Sequence, residues 1–107
     1  LLPDSIQIGA HRYRIEVVPP EELNGSVADV DNKKNLIRVD EEASRSRQIG
    51  LLLHECLHAM VVGYDYKDEE RMVITLEEAL TRFIQDNPLF IQQACHDLAD
   101  EKNKPQK

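Results

Sequence analysis

Two hydrophobic periods divide the chain. Before residue 40 the apolar positions alternate. Between His11 and Val18, Tyr13, Ile15 and Val17 are interleaved with Arg12, Arg14 and Glu16, the two-residue period of a half-buried strand. Ser5 to Ile8 reads as a shorter strand, joined to the first by a turn at Gly9-Ala10, and Pro19-Pro20 ends the pair. Ser26 to Val30 and Leu36 to Val39 flank the polar run Asp31-Asn32-Lys33-Lys34-Asn35, which can close a hairpin. From about Ser44 the period becomes helical, through Ile49, Leu52, Leu53, Cys56, Leu57, Met60 and Val61, with Gly63 where a C-cap glycine belongs. Asp68 can cap a second helix running to about Gln85, with a stripe of Met72, Val73, Leu76, Ala79, Leu80, Phe83 and Ile84. Asn87 and Pro88 suit the start of a third, carrying Phe90, Ile91, Ala94, Cys95 and Leu98. The expected fold is α+β: a small N-terminal antiparallel sheet of three or four strands, packed on the first helix and followed by two more. Residues 1–100 are expected to form one domain and 101–107 a frayed tail.

Composition narrows the partners. The 107 residues include 41% apolar and 31% charged residues, as a folded globule requires. Twenty acids against 13 bases leave a net charge of −7, which argues against attraction to nucleic acid or an anionic membrane. Arg45, Arg47 and the C-terminal lysines form only a loose basic group. No apolar run approaches the ~20 residues of a membrane span. The expected partner is therefore a protein or peptide, with no nucleic acid and no membrane. Cys56 and Cys95 do not make a disulfide scaffold. A reducing, cytoplasmic location is the simplest expectation.

The candidate chemistry lies in Leu53 to Met60, L-H-E-C-L-H-A-M. His54 and His58 differ by ~40° around a helix and lie more than ~100° from the centre of its apolar stripe. Two imidazoles one turn apart can aim their nitrogens at one Zn²⁺ ion, and Glu55 beside them is positioned as the general base for a metal-activated water. H-E-x-x-H thus points to metal-assisted hydrolysis, most often of a peptide bond. A catalytic zinc needs a third protein ligand. His11 and His96 read as ordinary surface or packing histidines. The better candidates are Glu69, Glu70, Glu77 and Glu78. A short loop from about Gly63 to Lys67 implies an antiparallel helical hairpin that sets His58 level with residues 70 to 72. Glu70 is the preferred ligand on that ground, with Glu77 and Glu78 in reserve. Tyr64 or Tyr66 could stabilise an oxyanion, although aromatic plugs of the hairpin are the simpler reading. The stretch Ser26 to Asp31 is the candidate edge strand for an extended substrate, a hypothesis from topology, since the residues do not give the sheet order.

These features resemble a small gluzincin-type zincin. L-L-H-E-C-L-H-A-M followed by E-E-R-M-V-I-T-L is similar to the ImmA/IrrE-like metallopeptidases and related short phage and prophage proteins. In those proteins the histidine helix is followed by E-x-x-[AV], and phage relatives often end the next helix in D-N-P, as in Asp86-Asn87-Pro88. A hairpin ending in I-R-V-D before the motif also matches. The resemblance covers most of residues 5 to 90. It implies a minimal zincin-like fold, zinc held by His54, His58 and Glu70, and Glu55 as base. The expected function is a zinc-dependent peptidase acting on a cytoplasmic protein. The alternative is a phage or prophage regulatory binding module that retains the zinc site with little or no hydrolysis.

Overall fold

Alternating apolar side chains pair β1 (Ser5–Ile8) with β2 (His11–Val18) as an antiparallel hairpin, in which Ile6 lies opposite Tyr13. The computed structural model describes residues 2–63 and 69–103; the side chains of Glu69, Glu70 and Val73 are outside that description. After β2 the chain makes a 3-10 turn at Pro20–Leu23, then forms β3 (Ala28–Asp31) and β4 (Leu36–Asp40). The polar loop closes this second hairpin as expected. Asp31 Oδ1 accepts from the backbone N–H groups of Lys33 and Lys34 at 3.0 and 3.1 Å, and Asn35 takes a left-handed φ of 53°, the conformation Asn tolerates best among residues with a Cβ.

The strand order is β1-β2-β4-β3, with β2 and β4 parallel. The sheet is therefore mixed, not antiparallel throughout. The reason lies in the connection. β2 ends and β3 begins at the same end of the sheet, but the 3-10 turn carries the chain one strand-width too far for direct pairing. β4 then returns antiparallel to β3 and fills the gap, which makes it parallel to β2. Consequently β1 and β3 are the two edges.

One face of the sheet packs under the helices. Ile6, Tyr13, Ile15, Ile37 and Val39 join Ile49, Leu52, Cys56 and Ala59 of α1 (Arg45–Met60) in the core. Each fully buried aliphatic side chain there contributes about 1.5–3 kcal/mol relative to exposure. Val17, expected inside, is half exposed, and Val18 is buried instead. Ser44 caps α1, its Oγ accepting from Arg47 N at 3.4 Å, and Gln48 ties the helix start to β4 through Asp40 O at 3.1 Å. α2 (Glu69–Asp86) and α3 (Pro88–Asn103) follow, so the last helix continues three residues past Asp100. α2 packs against β1 and α3, and Arg45 joins α1 to α3 through an ion pair with Asp97 at 2.8 Å.

Asn87, between α2 and α3, is buried and fully used. Its Oδ1 accepts from Gln7 N at 3.0 Å, and its Nδ2 donates to Gln7 O and Phe83 O, both at 2.9 Å. Ile15 N donates to Asp4 O, so by ladder alternation the main-chain groups of Gln7 point off the edge of β1. The Asn87 amide therefore acts as one residue of a neighbouring strand and closes that edge. This is the structural role of Asn87 in Asp86-Asn87-Pro88.

Candidate functional site

α1 determines what the site can contain. Its buried face centres on Ile49, Leu52, Cys56 and Ala59, while Leu57 is exposed. The inward face is thus rotated from the stripe expected through Leu53 and Leu57. That rotation turns His54 and His58 directly away from the core, and both are exposed. It also brings Glu55 to the boundary of the core, where the residue is only 8% accessible.

The two rings converge. His54 Nε2 and His58 Nε2 are 3.2 Å apart, with ring centroids 4.8 Å apart and planes at 69°. Zinc bonds of ~2.0–2.1 Å at a tetrahedral angle place two ligand nitrogens ~3.3 Å apart. The observed spacing fits that requirement. The same spacing also allows a hydrogen bond in which one imidazole donates to the other.

Glu55 supplies a second, independent observation. No hydrogen bond or ion pair reaches its carboxylate among the described residues. A little-exposed acid with no partner among the described residues is a candidate for chemistry. Its neighbour Cys56 is wholly buried, and burial, reinforced by the Glu55 carboxylate, pushes the thiol up to about 12. Cys56 therefore keeps its proton near neutral pH, and it lies in the core with Ile49, Leu52 and Ala59, away from the histidine face.

The histidine face divides two depressions. On one side is a cleft of about 540 Å³, with residues 25–28 as one wall and Arg47, Leu51, His54 and Glu55 on the other. On the other side, Leu57 of α1, Val61 just past its end and Leu76 of α2 form an apolar border to both histidines around a space of about 250 Å³. Leu76 is thus the described α2 residue beside the pair, later in the chain than the 70-to-72 level expected from a tight hairpin. Among the described residues, no third His, Cys, Asp or Glu joins the two histidines. Glu70 has its backbone in α2, but its side chain lies outside the description, as does that of Glu69. Glu77 and Glu78 are exposed, and Glu78 borders a separate cavity with His11, Tyr13 and Arg82. His96 is exposed beside Asp97 on α3. Tyr64, Tyr66 and the Asp68 cap also lie outside the described residues.

No family model matches the sequence, and neither the characterised proteins nor the solved structures give a significant match. The functional reading therefore rests on the residues themselves. Among the described residues no helix is long and apolar enough to cross a membrane.

The edge strand completes the cleft. Asp40 N donates to Val27 O at 3.1 Å, and the register pairs Ala28 with Val39 and Asp29 with Arg38. Alternation along an antiparallel ladder then turns the N–H and C=O groups of Ala28 and Val30 away from β4. They find no partner among the described residues. The sequence pattern pointed to this stretch but could not show that it was an edge. Arg47 is a further cleft residue, legible only as a position seven residues, nearly two full turns, before His54.

Proposed function

We propose that the protein is a zinc-dependent peptidase, with His54, His58 and Glu70 as metal ligands and Glu55 as general base. One observation carries the proposal: convergent imidazole nitrogens 3.2 Å apart share α1 with Glu55, a buried acid with no partner among the described residues, on the wall of an open cleft. A zinc ion bound by these ligands would lower the pKa of a water to about 7 and polarise a substrate carbonyl. Glu55 takes one proton from the attacking water, whose oxygen bonds to the carbonyl carbon, and delivers that proton to the nitrogen leaving as the C–N bond breaks. The substrate is an extended segment of a protein or peptide. It adds to β3 through the outward main-chain groups of Ala28 and Val30, which aligns it along His54 and Glu55. A cytoplasmic protein is the proposed target.

Glu70 is proposed as third ligand on the E-x-x-V spacing. Glu69, the neighbouring acid at the start of α2, is tested beside it.

Zinc content after dialysis, measured with peptide turnover, tests the scheme. The wild type should hold one ion per chain. His54→Ala and His58→Ala should each lose it, and Glu70→Gln should weaken it strongly while Glu69→Gln should not. Glu55→Gln should keep the ion while turnover falls by about 10²–10⁴. A wild-type protein that takes up no zinc defeats the proposal. Zinc and peptide binding without turnover would reduce it to a zinc-bearing recognition module.

A further inference from the structure

Arg47 is placed against the local electrostatics. It is the third residue of α1, whose first turn contains no acid. Positive charge there opposes the helix dipole, which favours acids at this end. Arg45, in the same turn, is compensated by Asp97, with Nε and Nη2 contacts of 2.9 and 2.8 Å. The Arg47 guanidinium is exposed and has no acidic partner among the described residues, in a chain with 20 acids. It also lines the same cleft as His54 and Glu55.

We infer that Arg47 is the specificity residue of this cleft and holds a carboxylate of the bound peptide. This rests on the peptidase reading for its peptide, but not on the presence of the metal. Arg47 and His54 are seven residues apart, so they lie within ~20° of each other around α1 and ~10 Å apart along it. An extended peptide rises ~3.3 Å per residue. The recognised carboxylate is therefore about three residues from the bond presented to His54 and Glu55. A guanidinium binds a carboxylate through two parallel N–H···O bonds, a geometry that lysine cannot reproduce. The carboxylate belongs either to an Asp or Glu side chain or to the peptide's own C-terminus.

Fluorescence anisotropy with the Glu55→Gln protein separates these sources without requiring turnover. The probes are labelled ten-residue peptides with amidated ends carrying one Glu at each position in turn, their Gln counterparts, and a neutral peptide with a free C-terminal acid. A Glu peptide at one position, or the free acid, should bind about five- to tenfold more tightly than its neutral counterpart. Adding Arg47→Ala should erase that preference, and Arg47→Lys should retain only part of it. Arg47→Ala should melt no lower than its parent, because it relieves the dipole conflict. Equal binding of acidic and neutral peptides, or a preference that survives Arg47→Ala, overturns the inference. A preference seen in protein that takes up no zinc upholds Arg47 and defeats the metal reading. Zinc-dependent turnover without an acidic preference does the reverse, and failure of every peptide to bind overturns both.

Discussion

Cys56 lies next to Glu55 on α1 and is wholly buried. The thiol is a small apolar group in the core, so burial suits its neutral form. The folded protein keeps the proton on Cys56 up to about 12, whereas an ordinary thiol releases it near 9.0. The unfolded chain therefore loses this proton first as the pH rises. The stability contributed by the protonated thiol is fully present below about pH 9 and declines above it, with a slope approaching 1.4 kcal/mol per pH unit. Urea unfolding between pH 8 and 10.5 should show the wild type losing more stability than Cys56→Ala over the same interval. Equal slopes would show that Cys56 titrates alike in both states. Cys95 is exposed and should react with a thiol reagent in the native protein, whereas Cys56 should react only after unfolding.

At the level of elements, the Asn87 side chain joins the α2–α3 junction to β1 through three hydrogen bonds. Asn87→Ala removes all three and leaves water to satisfy Gln7, so the expected loss is about 1–3 kcal/mol in chemical denaturation. Asn87→Asp is nearly isosteric but sets a carboxylate against the carbonyls of Gln7 and Phe83. It should cost at least as much at neutral pH, and a smaller loss than for alanine would contradict the edge-closing role. The sequence signalled Asn87 only as a helix breaker, because no periodicity encodes which distant backbone an amide will pair with. The same limit explains the mixed sheet. Alternation identified β1 and β2 to the residue, but it carries no information on pairing order, so the insertion of β4 between β2 and β3 was invisible. In α1 the histidine face was legible because two polar residues four apart stand out from an apolar run. The burial of Glu55 was not, because a period locates the centre of a buried face only to within about one residue position. Which acid could serve as the proposed third ligand depends on how far α2 slides along α1, which helix period and loop length do not determine.

Across the whole molecule, the two sheet edges are treated unequally. β1 is closed by Asn87 and covered by α2. On β3 the outward groups of Ala28 and Val30 have no partner among the described residues, next to the cleft that contains His54 and Glu55. An open edge invites unwanted pairing with other chains. Here it is only four residues long and carries Asp29 and Asp31, on a chain of net charge −7, which limits self-association. That arrangement suits a docking strand for a passing peptide. Ala28→Pro isolates this function, because the Ala28 N–H points away from β4. Proline there removes a donor from the free edge without breaking a ladder bond, and edge strands tolerate it. The expected result is a folded protein within about 1 kcal/mol of wild type, because no internal bond is lost. Its zinc affinity should be unchanged, but peptide binding should be weaker by roughly fivefold or more, matching the loss of one main-chain hydrogen bond. Ala28→Ser, which keeps the N–H, should bind peptide like the wild type. If proline and serine variants bind equally well, peptides do not add to β3, and the cleft must orient its substrate through the α1 wall alone.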